Sequence, residues 1–457
     1  MQLLEKRVVI KLNEGQYLLV NPYSGLADIL DEETLQMLSS GNFDPHEETI
    51  VGLKRRGHLL EEGEEEDLFR HMYSLSEQLH EEFSKHNLHV VMPTYECNLQ
   101  CPYCFERHLY RKDVKWKTTM DEKTVDCLFE AVLSLDSEAE GEKCMVFYGG
   151  EPLQVKNYSI IEYILKKGDE LGYSFKVVTN GADFYHFVPL LSQFNILKTQ
   201  ITIDGPKEVH DRRRFKKGGK GTFDDIVRGI DLALDYDLPV GIRINVDSAN
   251  MGHLPEFAEY YREKGWYPKV YAFATNVHGA ECTSYSSLIS VEEFTRELID
   301  LFLTDERMDV LFQTFRYPNV LLEHLFAGEP FKPRFWACGS HTSIFIYDAV
   351  GDIYPCYEAV GEEVHKVGEY RPVLKFNDRF DHWRKRTVFT IPECRECNLA
   401  FFCGGGCAHR AYDAAGSIYS PMCDKTKFSV EYEVPYLYQV MKEKKKSLSE
   451  VRDWYFE

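Results

Sequence analysis

Hydrophobic and polar positions change rhythm along the chain. From residue 89, short apolar runs at His89–Thr94, Cys144–Tyr148, Phe175–Thr179, Lys198–Ile203, Val240–Val246 and Lys269–Ala274 predict strands. Between them, helical spacing predicts helices at Asp121–Leu135, Tyr158–Leu171, Asp224–Tyr236 and Leu254–Glu263. Six strand–helix repeats imply an α/β fold with a parallel sheet and right-handed crossovers, either doubly wound or an incomplete barrel. Functional groups in such folds gather at the C-terminal strand ends. Here those ends lead to Cys97, to Gly149-Gly150-Glu151, to Asn180-Gly181 and to Asp204-Gly205, which predicts one shared site.

The first 88 residues follow another pattern. Val8, Ile10 and Leu12 alternate as in a half-buried strand, and Tyr17–Val20 offers a second after a turn at Asn13–Gly15. Asp31 precedes a short helix ending at Gly41, a second ends at Gly57, and a longer one covers about 64–84 with Leu68, Met72, Leu75 and Leu79 in register. The acidic stretch at 61–67 is the solvated start of that last helix. Residues 291–325 read as a helical connection and about 424–457 as an amphipathic helical tail. The implied division is 1–88, 89–325 and 326–457.

Composition narrows the chemistry. Among 457 residues, 53 Lys+Arg face 74 Asp+Glu for a net charge of −21, which argues against a nucleic-acid partner. No apolar run approaches the roughly 20 residues that span a bilayer, and the first residues lack an apolar signal segment. A cytoplasmic location without a membrane partner is expected. The 13 cysteines are an odd total for a disulfide scaffold and point to metal or redox chemistry. They also bunch: three at 97–104 and seven after residue 337.

Cys97-x3-Cys101-x2-Cys104 follows a predicted strand. Structural zinc takes four ligands, whereas three thiolates within eight residues suit an iron–sulfur cluster with one iron left open. A partial zinc site is the competing reading. The spacing, with Tyr103 before the third Cys, resembles the signature loop of the radical S-adenosylmethionine (radical SAM) enzymes. Tyr148-Gly149-Gly150-Glu151-Pro152 resembles that family's GGE motif, whose implied role is to hold the amino group of SAM. Asn180 and Thr202-Ile203-Asp204-Gly205-Pro206 resemble its ribose- and substrate-side positions, and His210-Asp211-x2-Arg214 resembles a following HDxxR segment. Arg243 and Asn245 end the fifth strand on the same rim as further SAM contacts. The basic run from Arg212 to Lys220 is either a solvated loop or a partner for peptide carboxylates.

Cys338-x12-Gly351-x4-Cys356, then Cys394-x2-Cys397-x5-Cys403-x3-Cys407, then Cys423, resembles the SPASM auxiliary-cluster pattern. By that resemblance Cys394, Cys397, Cys403 and Cys423 hold one 4Fe–4S cluster. Cys338, Cys356 and Cys407 hold another, whose fourth ligand is a substrate thiolate, Cys282 or a side-chain oxygen. Cys127 and Cys144 fall in helix and strand patterns as core residues.

The fold class expected is therefore a partial (β/α)6 radical SAM barrel with an N-terminal winged-helix-like domain and a C-terminal SPASM iron–sulfur domain. The resemblance implies three 4Fe–4S clusters, S-adenosylmethionine, and a 5′-deoxyadenosyl radical that abstracts substrate hydrogen. An electron donor such as flavodoxin or ferredoxin is implied as well. The N-terminal part resembles the leader-peptide recognition element of peptide maturases, so the expected partner is a ribosomally synthesised precursor, leader on that domain and core in the barrel. The function implied is thioether formation between a Cys sulfur and an acceptor carbon, of the sactipeptide/ranthipeptide kind. A formylglycine-type sulfatase maturase is the alternative. That group carries Asp directly after the second Cys of the SPASM segment, where this chain has Tyr357 and Glu358. A carbon–carbon cross-linking maturase is a further alternative.

Overall fold

In the computed structural model, which describes residues 1–106, 117–277, 285–312 and 331–443, the chain opens on β1 (Gln2–Leu3) and β2 (Val8–Asn13). β3 (Gln16–Val20) and β4 (Ala27–Asp31) complete an antiparallel sheet in the order β2-β3-β4. Val8, Ile10 and Leu12 point inward, as their alternation requires. β4 gives no such signal because its sequence, ADILD, is short and mostly polar. The carboxylate of Asp31 caps α1 (Glu32–Ser40) by accepting from the Thr34 amide, and Gly41 ends it at φ 70°. α2 (Glu48–Arg55), β5 (Leu59–Leu60) and α3 (Glu64–Phe83) follow, with β5 paired to β1. Leu19, Leu30, Leu38, Ile50, Leu53 and Leu59 form the core under this sheet.

The strand–helix repeats form a second structure. β6 (Leu88–Val91), β7 (Cys144–Phe147), β8 (Ser174–Thr179), β9 (Ile196–Thr202), β10 (Val240–Val246) and β11 (Tyr271–Asn276) pair in parallel, each with the next in sequence. The crossovers carry α4 (Glu122–Leu135), α5 (Tyr158–Glu170), α6 (Val188–Leu191), α7 (Lys207–Arg213), α8 (Phe223–Asp235) and α9 (Leu254–Glu263). Ile161, Ile164 and Leu165 of α5 and Ile226, Ile230 and Ala233 of α8 are buried, which is the apolar stripe a crossover helix lays on its sheet. α10 (Val291–Thr304) starts in a Ser290–Glu293 capping box.

The sheet does not stop at six strands. β12 (Ile344–Tyr347) pairs in parallel with β6, and β13 (Asp352–Tyr354), β14 (Gly368–Glu369) and β15 (Lys375–Phe376) continue antiparallel, giving ten strands. Packing accordingly divides the chain into two units, one of residues 84–315 and 343–382, the other of 1–83, 316–342 and 383–457. In the latter unit Leu4, Tyr23, Leu60 and Met72 share a core with Phe335, Val388, Phe389, Ile391, Cys394 and Phe401. The cysteine-rich part there is mostly turns and one-turn helices, with longer helices at Ala408–Ala415 and Val434–Glu443. Of the helical connection expected at 291–325 and the tail expected at 424–457, residues 313–325 and 444–457 lie outside the described ones. No helix among the described residues is long and apolar enough to cross a membrane.

Candidate active site

The loop after β6 carries Cys97, Cys101 and Cys104 to the C-terminal end of the sheet. The Leu99 amide donates to the Cys97 sulfur at 3.4 Å, and the Gln100 amide donates to the Phe215 carbonyl at 2.9 Å. Leu99, Cys101 and Tyr103 pack with Ala182 and Val277, so this loop has a core of its own.

After β7, Gly149 and Gly150 adopt φ 80° and 27°. A Cβ on Gly150 would lie 2.5 Å from the Glu96 carbonyl oxygen, so only glycine lets the β7 loop press against the cysteine loop. The Glu151 amide then donates to that same carbonyl at 2.9 Å. Glu151 is 1 % exposed. Its carboxylate accepts from the Leu153 amide at 2.9 Å, from Thr179 Oγ1 at 2.6 Å and from the Asn180 amide at 2.6 Å. Burial pushes its pKa up to about 7 against those three donors. Three of roughly four acceptor directions therefore tie the loops after β7 and β8 together, and one is left.

Together the thiols, Tyr103, Gly149, Gly150, Glu151, Asn180, Thr202, Arg214, Arg243 and Asn245 line one cavity of about 480 Å3, ample for a small-molecule cofactor. Asn180 Nδ2 donates to the Cys97 sulfur at 3.5 Å and to Asn98 at 2.8 Å. Arg243 Nε donates to Thr275 at 3.1 Å. Asp204 is not on the wall: it is wholly buried behind it and accepts from Tyr103 Oη, from the Asn245 amide and from Arg213. Burial alone would raise the Asp204 pKa, but Arg213 and Arg214 hold it below the usual carboxylate value.

Three consecutive arginines take three directions. Arg212 is exposed. Arg213 is clamped between Asp247, at 2.6 and 2.8 Å, and Asp204 at 3.2 Å, with Tyr285 Oη at 2.9 Å. Arg214 reaches the cavity, donates to Tyr103 Oη at 2.8 Å, and keeps a buried Nε without a partner among the described residues. His210 Nδ1 accepts from the Asp204 amide, and its other nitrogen meets Thr222 Oγ1 at 3.0 Å. Asp211 accepts from the amides of Thr222 and Phe223. Within the basic run Lys216 pairs with Asp183 and Asp225 and Lys220 with Asp225, and just before it Lys207 pairs with Asp211 and Asp224.

Sequence reasoning missed Glu106 on the wall, and named Tyr357 and Glu358 only as the residues after Cys356. Glu106 is 7 % exposed, its Oε1 has no partner among the described residues, and burial lifts its pKa to about 7. Tyr357 and Glu358, which follow Cys356 at the end of the β12–β13 hairpin, also line the cavity, and the Tyr357 ring stands edge-on to Tyr148 at 4.6 Å. Cys144 is core in β7, and Cys127 sits half-buried on α4. Cys282 lies outside the described residues.

The other unit gathers Cys394, Cys397, Cys403 and Cys423, which act electrostatically on one another. The Leu399 amide donates to the Cys397 sulfur and the Gly405 amide to the Cys403 sulfur, both at 3.4 Å. Gly404, Gly405 and Gly406 all have positive φ. A Cβ on Gly404 would meet the Trp336 carbonyl at 2.5 Å and one on Gly406 the Met422 carbonyl at 1.9 Å, so this turn grips the approaches to Cys338 and Cys423. Burial, helped by the neighbouring thiols, pushes the Cys394 pKa up to about 12. Burial likewise raises Cys403 to about 11. Converging soft donors with amides aimed at sulfur fit an iron–sulfur cluster. The first loop passes the same test: three convergent thiols, amide donors to sulfur, and the unpartnered Arg214 Nε and Glu106 Oε1 beside open space.

Residues 91–261 match the model of the Radical SAM superfamily. The chain is 25% identical over 331 residues to a cysteine-type anaerobic sulfatase-maturating enzyme of Clostridium perfringens, covering 68% of this chain and 85% of that one. It is 25% identical over 328 residues to mycofactocin maturase MftC of Mycolicibacterium smegmatis, covering 69% and 76%. Among solved structures, anSMEcpe with bound AdoMet and a peptide superposes with a TM-score of 0.60 at 21% identity, over 80% of this chain and 99% of that one. Streptococcus suis SuiB bound to its precursor peptide SuiA superposes with a TM-score of 0.56 at 16% identity, over 92% and 98%. Residues 91–261 thus form a radical SAM domain, set in an α/β fold with a ten-stranded mixed sheet, and the chain is similar in sequence to a sulfatase-maturating enzyme and to mycofactocin maturase.

Proposed function

We propose that the chain is a radical SAM maturase of a ribosomally synthesised peptide and joins a cysteine sulfur to a carbon of an acceptor residue. The observation that carries the reading is the β12–β13 hairpin. It extends the radical SAM sheet, and it delivers Tyr357 and Glu358, the two residues after Cys356, to the same cavity as the three early thiols. A substrate cysteine in that cavity would lie near a ligand of an auxiliary cluster as well as near the hydrogen-abstracting centre.

Cys97, Cys101 and Cys104 would hold the first cluster, and the cavity beside them S-adenosylmethionine. These groups, when bound, supply the radical chemistry that removes hydrogen from carbon. The chain's own part is positional. Glu151 joins two loops, Arg214 and Arg243 offer guanidinium donors to carboxylates, and Tyr103 and Tyr148 put aromatic rings on the cavity wall. Cys394, Cys397, Cys403 and Cys423 would hold one further cluster. Cys338, Cys356 and Cys407 remain as further thiol ligands, too few by one to close a cluster without a substrate thiolate or another donor. The precursor's leader would add to β4, the edge strand on which Ile29 is exposed, because the β2 edge is met by the helix Val434–Glu443, where Gln439 donates to the Leu12 carbonyl.

Formylglycine formation is the second reading, favoured by one observation: Glu358 puts a carboxylate on the cavity wall two residues after Cys356. Coexpression with a neighbouring Cys-containing precursor separates the two. Thioether formation removes two hydrogens per modified Cys, one from the thiol and one from carbon, and leaves that Cys resistant to alkylation. Formylglycine formation replaces the thiol by an aldehyde that hydrazide reagents capture. A peptide recovered unchanged beside an enzyme that cleaves S-adenosylmethionine would rule out both.

A further inference from the structure

Arg386 is wholly buried, and no carboxylate among the described residues pairs with it. Its guanidinium is spread over backbone carbonyls instead. Nη1 donates to Gly406 at 2.9 Å, Nη2 to Gly405 at 2.9 Å and to Ser420 at 3.2 Å, and Nε to Ile418. Gly405 and Gly406 belong to the turn between Cys403 and Cys407, and Ile418 and Ser420 to the loop that enters Cys423. One planar side chain therefore ties together the two segments that present these thiols, a task suited to its rigid fork of five donors.

The charge itself needs an explanation. A buried cation without a counter-ion costs several kcal/mol even after relaxation. Burial draws the Arg386 pKa down, and the groups opposing that are Cys394, Cys407, Cys338 and Cys403. These are two thiols from each of the two sets assigned to auxiliary clusters. A cluster held by thiolates is anionic, and the charge and hydrogen bonds around its sulfurs set its potential.

We propose that Arg386 is a positioning residue for the late-cysteine iron–sulfur assembly: it fixes the turn and loop that present the thiols and supplies the positive charge that compensates the clusters. The proposal rests on reading these cysteines as cluster ligands. By stabilising the more negative, reduced state, Arg386 raises the cluster potential and eases electron uptake from the substrate side.

The test uses the full chain with Cys97, Cys101 and Cys104 replaced by Ala, reconstituted with iron and sulfide, so that only late cysteines hold clusters. Redox titration followed by electron paramagnetic resonance gives the midpoint, and a chelator challenge gives the rate of iron loss. Arg386→Met is expected to move the midpoint to more negative potential and to lose iron several-fold faster. Arg386→Lys, which keeps charge but not the fork, is expected to hold the parent midpoint while losing iron faster. An Arg386→Met midpoint equal to the parent overturns the proposal, as does an Arg386→Lys midpoint shifted as far as that of Met. Should Arg386→Met fail to fold, Arg386→Lys decides: parent-like iron retention overturns the proposal, and faster loss at an unchanged midpoint supports it. A triple-Ala parent that takes up no iron would instead refute the cluster reading itself.

Discussion

The loop of Cys97, Cys101 and Cys104 and the segment from Cys394 to Cys423 both hang thiols on irregular backbone, but the chain holds them by different means. The early loop is braced by a pre-formed polar network. Asp204, Arg213, Asp247, Tyr285 and Tyr103 satisfy one another in the dry interior, and Glu151 ties the adjoining loops. The late segment has a triple-glycine turn, one-turn helices and a single buried cation without a carboxylate. On the proposed function, the site that exchanges a cofactor is built on scaffold that exists beforehand, and the site that would hold its metal permanently leaves part of the fold to the metal.

Iron removal should separate the two regions most sharply. Metal-coupled folding in small domains is worth on the order of 10 kcal/mol. Chelation is therefore expected to strip amide-exchange protection from 394–423 while β6–β11 keep theirs. Equal loss in both regions would break the distinction. Next in size, Asp204→Ala leaves Arg213 half-paired in the interior and should cost about 3–5 kcal/mol of barrel stability by denaturant titration, with little change in the late segment. Glu151→Gln keeps the shape but replaces one carboxylate acceptor with an amide donor, facing either the Asn180 amide at Oε2 or the Leu153 amide and Thr179 hydroxyl at Oε1. A loss of about 1–3 kcal/mol is expected, together with weaker S-adenosylmethionine binding by calorimetry.

The smallest effect is a pH dependence confined to the barrel network. Burial lowers the His210 pKa to about 4, while the unfolded value is about 6.5. The unfolded state thus binds the extra proton first as pH falls. Stability from neutral His210 is complete above pH 6.5 and drains away toward pH 4. Between pH 7.5 and pH 5.5 the parent should lose about 1.4 kcal/mol relative to His210→Gln, a difference in which the opposite contributions of Glu151 and Glu106, both raised by burial and common to the two chains, cancel.

Much of this organisation is legible in the sequence because apolar runs report strands buried on both faces. Each of the six predicted strands of the repeat region overlaps an observed one, with ends shifted by up to three residues. The short strands expected after residue 338 gave no sign of joining the barrel sheet, because two to four residues are too few to show a period and only the long-range partner β6 makes β12 a barrel strand. The thiols and glycines of the cavity were legible because their spacing is their function. Among charged groups, Glu151, Arg214 and Arg243 were legible through their motifs and strand ends, but the fates of their neighbours were not. Arg212, Arg213 and Arg214 are identical in sequence, yet one is solvated, one is locked in an ion pair and one faces the cavity, a difference set by helix rotation at the end of α7. Glu106 and Arg386 likewise sit in polar stretches that read as surface until tertiary packing buries them.

The pairing of β12 with β6 also sets a timetable for synthesis. Residue 344 leaves the ribosome 253 residues after residue 91 (344 − 91), which at about 5–20 residues per second is roughly 13–50 s. Through that interval β6, the strand that leads into the first cysteine loop, presents one unpaired backbone edge, the kind of edge that recruits stray strands. The nascent barrel must wait, half closed, for a hairpin encoded late in the message, and insertion of iron before then would meet a cavity still missing Tyr357 and Glu358.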